Sequence, residues 1–213
     1  MKHDSRPYYQ TARAQAAAET GERILRAFLV RMENFWFDEI RLDDVAKDAG
    51  VTVQTVIRRF GGKEGLLEAG KELMNHDLPS ARLVPAGDYE RALDAIVAEY
   101  ESSGNLTVRL LAQEARYPAI KSITNLGRSN HREWVGMIFA PWLDAMSPKD
   151  SRRAQDKLVI ALDVYVWKLL RVDMQRSVAE LRRTMTDLCA SALGMPPEAL
   201  STKLTIRGEA LDD

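Results

Sequence analysis

Apolar residues recur three and four apart along most of the chain, the period of amphipathic helices, and no segment alternates with the period of two that a half-buried strand requires. From about Thr11 an alanine-rich run leads into a helix whose Ile24, Leu25, Phe28, Leu29 and Met32 form one apolar stripe. Leu42, Val45, Ala46 and Ala49 follow at the i, i+3, i+4, i+7 spacing of one helix face, with Asp43 and Asp44 in the first turn, where carboxylates suit the positive helix end. Gly50 adopts a left-handed turn without steric cost and ends that helix sharply. Thr52 then caps a second helix, in which Val56 and Phe60 point back to the first while Gln54, Thr55 and Arg58 point outward. Gly61-Gly62 ends it, and Lys63 opens a fourth helix running to about His76. A capped helix, a short turn with glycine and a second helix with a polar outer face make a helix-turn-helix.

Between His76 and Asp88 two prolines and a glycine mark a linker, dividing the chain into residues 1–78 and 79–213. Beyond it, Tyr89, Leu93, Ile96, Val97 and Tyr100 make one stripe, broken by Ser102-Ser103-Gly104. Leu106, Leu110, Leu111 and Ala115 make another, ended by Tyr117-Pro118. Trp134, Val135, Ile138, Phe139, Trp142 and Met146 make a third, which Pro141 kinks. Ser147-Pro148-Lys149-Asp150 combines a cap, a proline at the first helical position and an acid three residues after the cap. Ser177-Val-Ala-Glu180 is a capping box opening a helix that Gly194 and Pro196-Pro197 stop. Glu198 to Leu204 is long enough for one more short helix. The expected fold is all-α, about nine to ten helices: a three-helix N-terminal helix-turn-helix domain and a C-terminal helical bundle.

Composition changes this picture little. Lys plus Arg number 30 against 31 Asp plus Glu in 213 residues, so there is no global basic signature of nucleic-acid binding. Local placement matters more: from Thr52 to Lys63 the charged residues are Arg58, Arg59 and Lys63, with no acid among them, a small basic face suited to phosphates. The single Cys189 excludes an intrachain disulfide and fits a reducing compartment. No signal-peptide core opens the sequence and no apolar run approaches the roughly 18 residues of a spanning helix, so a soluble, cytoplasmic protein without a membrane role is expected. Residues 1–10, with Lys2 and Arg6, read either as a frayed terminus or as an arm laid along DNA.

Val45-Ala46, Ala49-Gly50-Val51-Thr52, Thr55-Val56, Arg58, Phe60 and Lys63-Glu64 with Leu66-Leu67 resemble the N-terminal DNA-binding domain of the TetR/AcrR family of transcriptional regulators, a likeness reaching back through Arg23-Ile24-Leu25-Arg26-Ala27. The resemblance implies a homodimeric regulator, commonly a repressor, that grips an inverted-repeat operator in double-stranded DNA and is released by a small, lipophilic or aromatic effector. Two departures stand out. Trp36 occupies a position where family members usually carry glycine, so the link Asn34–Asp38 is rebuilt, with Asn34 the candidate for a left-handed residue. Arg41 stands where a threonine cap is usual and instead offers a guanidinium to a phosphate.

Within the second helix, Val53 and Gln54 occupy the N-terminal turn that enters the major groove; glutamine can pair with adenine N6 and N7, and valine can pack on a thymine methyl. Thr55, Arg58, Arg59, Lys63 and Arg41 suit phosphates, Arg58 being the ambiguous one because a guanidinium can also fork onto guanine, and the capping Thr52 is counted among the DNA-binding residues with them. By the resemblance, the C-terminal domain dimerises through its last two long helices, near Leu158–Leu170 and Val178–Leu193, and encloses the effector. Tyr100, Trp134, Met137, Phe139, Trp142, Tyr165 and Trp167 are the candidate pocket wall; the plainer reading makes them core, and all seven cannot line one cavity. Asp163 interrupts an apolar run, and a carboxylate there pairs with an arginine across the dimer, meets a cationic effector or faces water; we favour the interface over the effector. No cofactor is expected. An enzyme reading finds nothing positive, because His3, His76 and His131 are scattered and Cys189 has no helper. A helical interaction protein without DNA binding is the other rival: Ile57, where the family usually has tyrosine, favours it, and Arg58, Arg59 and Lys63 count against it.

Overall fold

The structure, a computed structural model, describes residues 6–201, with the side chains of residues 14–72 and 82–200. All regular structure among the described residues is helical, with no strand. The chain forms two compact units: Met1–His76 with Arg109–Lys121, and Asp77–Val108 with Ser122–Asp213. This differs from a single division after residue 78, because a segment from the middle of the C-terminal half packs with the N-terminal helices.

The first unit opens with α1 (Arg6–Asn34), followed by α2 (Leu42–Asp48), α3 (Val53–Phe60) and α4 (Lys63–Ala81). Arg6, expected in an arm, is the first residue of α1, and Lys2 lies outside the described residues. Ile24, Phe28 and Met32 of α1 are buried together with Val45, Ala46, Val56, Leu66 and Leu67. Each shorter helix is therefore held by its apolar stripe rather than by its own length. Polar contacts fix the register of α1 on α2. Arg31 bonds Asp48 at 2.7 Å, and Arg23 Nε donates to the Ala49 carbonyl at the end of α2.

The link after α1 is rebuilt, though by means other than a left-handed asparagine. Asn34 completes α1 and donates from Nδ2 to the Val30 carbonyl; among the described residues Gln175 alone, apart from glycines, has positive φ. The Trp36 N–H donates to the Glu39 carboxylate, and Glu39 N–H returns to the Trp36 carbonyl, closing the turn without glycine.

The second unit begins in the last turns of α4, which runs through Pro79 to Ala81, so the irregular link shrinks to Arg82–Asp88. Then come α5 (Tyr89–Gln113), α6 (Pro118–Ile138), α7 (Ala140–Leu143), α8 (Pro148–Ala161) and α9 (Val164–Trp167). A π-helical continuation (Lys168–Asp173), α10 (Val178–Leu193) and α11 (Pro197–Ser201) complete the described chain. Residues 202–204 of the expected last helix lie outside the described residues.

Three expectations change here. Ser102-Ser103-Gly104 does not break a helix: α5 passes straight through, the Ser103 and Thr107 hydroxyls donating back to the carbonyls of Glu99 and Ser103. Gly104 is there for proximity, since a Cβ on it would lie 2.5 Å from the Trp167 ring. Pro141 does not kink a helix but sits in the first turn of α7 after a break at Phe139. The continuous helix expected around Leu158–Leu169 is interrupted at Leu162-Asp163, where the Asp163 carboxylate accepts the Tyr165 N–H and caps α9. That cap answers why an acid interrupts an apolar run. The caps at Ser147 and Ser177 stand as expected, the latter with both bonds of the capping box to Glu180.

Candidate nucleic-acid interface

Helices α2 and α3 build the interface from local signals. Gly50, at φ 65°, lets Val51 N–H reach back to the Ala46 carbonyl and turns the chain. Thr52, extended at φ −87°, accepts the Thr55 N–H on its hydroxyl, which also bonds the Thr55 hydroxyl at 3.0 Å. Val56, fully buried, fixes which side of α3 faces inward. A helix advances about 100° per residue, so burying Val56 sends Gln54 and Arg58 straight outward, and both are exposed. Val53 and Ile57 occupy one flank of that ridge. Thr55 and Arg59 occupy the other.

The residues expected on DNA are thus placed unequally. Arg41 is exposed as the residue before α2, its side chain making no cap bond. Gln54 and Arg58 are exposed, while Val53 and Thr55 are partly covered. Arg59 is exposed but lies along α1, its guanidinium so close over Gly21 that a Cβ there would come within 2.4 Å.

Lys63 requires a correction. Its ammonium does not extend outward to meet phosphates: it donates to the Phe37 carbonyl at 2.7 Å, reaches the Asp38 carbonyl at 3.4 Å and sits 4.7 Å from the Phe37 ring centroid. Lys63 ties the start of α4 to the link after α1, and its side chain is an anchor of the fold.

Sequence reasoning missed the group that supports this link from the other side. Gln113, fully buried, accepts the Phe37 N–H on Oε1 at 2.6 Å and donates from Nε2 to the Arg109 carbonyl. Arg109 donates to the Glu33 carbonyl, and its guanidinium lies 5.4 Å from the Trp36 ring centroid. Arg116 pairs with Asp38 at 2.8 Å, and Tyr117 meets Phe37 edge-on, ring centroids 5.1 Å apart. Desolvation pushes the Asp38 carboxyl up, but the Tyr117 hydroxyl and the Arg116 guanidinium outweigh it and hold the group below the usual carboxylate range. These partners lie 76 or more residues from the link, beyond the reach of any local pattern.

In the second unit the seven expected wall residues divide. Tyr100, Trp134, Phe139, Trp142 and Trp167 are buried, whereas Met137 and Tyr165 stand 50% and 55% exposed and line no interior wall of this chain, since each faces out from its helix. The buried polar tips are satisfied: Tyr100 hydroxyl donates to the Leu162 carbonyl, Trp134 Nε1 to the Arg82 carbonyl and Trp167 Nε1 to Glu101. Beside them Arg82 forms a two-pronged, partly buried pair with Glu99, both contacts at 2.7 Å. His131 Nε2 lies 3.2 Å from the Val159 carbonyl and so carries the proton, leaving Nδ1 to accept from Arg82. Burial, then the Arg82 charge, hold His131 at about 4. Among the described residues no three or more His, Cys, Asp or Glu are grouped to hold a metal, and no helix is long and apolar enough to cross a membrane.

Residues 37–69, the segment that carries α2, α3 and the start of α4, match the family model of bacterial regulatory proteins, tetR family. No curated protein matches the chain.

Proposed function

From its membership in the TetR family of bacterial regulatory proteins, DNA-binding regulators of transcription, we propose that the chain acts as a homodimeric repressor released from an inverted-repeat operator by a small apolar effector. The observation that carries the reading is α3 itself: a capped helix with Gln54 and Arg58 outward and no acid from Thr52 to Lys63. Gln54 and Val53 read bases; Arg58, Arg41 and the threonine hydroxyls hold the backbone.

Dimerisation is supported by an apolar surface on the last helices. Ile160, Tyr165, Leu169, Val172, Met174, Val178 and Leu188 are all at least 36% exposed, and apolar side chains left open in such number on neighbouring segments of the chain suit an association site. A twofold pair of recognition helices then engages half-sites about 34 Å apart, or a multiple of that.

The effector reading rests on the buried aromatic group Tyr100, Trp134, Phe139, Trp142 and Trp167. An effector weakens DNA binding only by preferring the arrangement that does not bind DNA. The chain passes between its units three times, within α4, α5 and α6, so each of these helices can relay that preference.

The test is selection of bound DNA from a random pool with the full-length protein. The expected outcome is one sequence with twofold symmetry. A helical interaction protein that leaves DNA alone is the second reading, favoured by one observation, the exposed Ile57 on α3; recovery of no sequence would support it and end the repressor reading.

A further inference from the structure

Ile57 lies mid-way along α3 and is 43% exposed, although the next residue round the helix, Val56, is fully buried. A single exposed isoleucine needs no explanation. Its neighbourhood gives it one. Val53 lies four residues earlier on the same flank and is partly exposed, so the two branched side chains form a continuous apolar stripe. The ridge beside that stripe is Gln54 and Arg58, both exposed, and the helix holds no acid. A surface with cations and no anions faces a polyanion. The apolar feature that a DNA major groove offers to such a stripe is the C5-methyl of thymine.

We propose that Val53 and Ile57 together read thymine methyl groups, and that Ile57 is a specificity-determining residue of the recognition helix. This rests on the DNA-binding reading above. Neither side chain can donate or accept a hydrogen bond, so the stripe distinguishes thymine from the other bases by the methyl alone. Four residues span about 6 Å along a helix, while stacked base pairs are about 3.4 Å apart. The two thymines therefore lie within about two base pairs of each other in each half-site, beside the position that Gln54 reads.

The experiment uses the full-length protein and its selected DNA, with each thymine replaced singly by deoxyuridine, which removes the methyl and leaves every hydrogen-bonding group. One or two replacements per half-site are expected to weaken binding about three- to tenfold, the worth of one buried methyl. Ile57→Ala is expected to bind more weakly and to lose the uracil penalty at one of those positions, and Val53→Ala at the other. Ile57→Thr, which keeps one branch methyl, retains part of it. Because Ile57 is exposed, its variants are expected to keep the fold, and circular dichroism checks them together with Val53→Ala. Indifference of the unaltered protein to every deoxyuridine, or an undiminished penalty in Ile57→Ala, overturns the inference while leaving DNA binding intact. Recovery of no DNA from the pool overturns both.

Discussion

Lys63 and His131 show how a side chain's partners decide its role. An ammonium that holds two backbone carbonyls and an aromatic face contributes to stability rather than to DNA affinity. Lys63→Met is expected to lower unfolding free energy by about 1–3 kcal/mol, since it leaves the Phe37 carbonyl without its charged donor. Its effect on the salt dependence of DNA binding should be slight, whereas Arg58→Ala should reduce that slope by about one. Urea titration and salt-dependent binding separate the two, and the reverse pattern would restore Lys63 to the phosphate set. His131, held at about 4 by burial and by Arg82, is neutral in the fold. Its folded value lies below the ordinary value of about 6.5. The stability it supplies is therefore complete above about pH 6.5 and is lost as pH falls toward 4, on the order of 3 kcal/mol. Arg132 adds to this, while Asp163 and the Val159 carbonyl oppose it. His131→Gln should remove that part of the acid slope in urea melts between pH 4 and 7; an unchanged slope would assign the loss to carboxylates.

Helices announced themselves where their signals were local. The turn at Gly50, the cap at Thr52, the capping box at Ser177 and Glu180 and the stop at Gly194 all lie within a few residues of what they control, and each stands as read. Where a distant partner decides, local chemistry misleads. Gly104 resembles a helix breaker until the Trp167 ring is placed against it, and Asp163 resembles a buried charge until α9 begins beside it. Lys63 resembles a phosphate ligand until the Phe37 carbonyl comes within reach, and nothing in the sequence ties Gln113 to Phe37. The glycine gives a test of this distinction. Alanine in mid-helix normally gains about 1 kcal/mol over glycine, but a Cβ within 2.8 Å of three Trp167 ring atoms overpacks the site, at a cost of about 1–3 kcal/mol. Gly104→Ala should therefore lower the melting temperature. A rise would mean that Trp167 yields easily and that the close approach is incidental.

For the whole molecule the proposed dimer makes the strongest demand. Leu169 and Ile160 are 52% and 66% exposed, so a charge at either harms no interior packing within one chain. Buried in an interface between two copies, an unpaired charge costs several kcal/mol. Leu169→Glu should leave helical content and urea stability of the single chain nearly unaltered, shift sedimentation to the monomer and weaken operator binding by more than tenfold, because two half-sites are no longer linked. A variant that sediments as a dimer would move the interface elsewhere.

The support that Arg109–Lys121 gives to the link after α1 bears on how such a protein can be cut and recombined. Cleavage in the irregular link Arg82–Asp88 looks like the natural way to detach a DNA-reading head, yet the detached piece would leave behind the amide that satisfies Phe37 and the guanidinium that pairs with Asp38. Phe37, 6% exposed in the intact chain, would be left with an open side and an unpaired N–H. The head is thus not a cassette bounded by one splice site. A graft of the residues before that cut onto a foreign body is expected to be stable only when the recipient brings its own counterpart of Gln113, Arg116 and Tyr117.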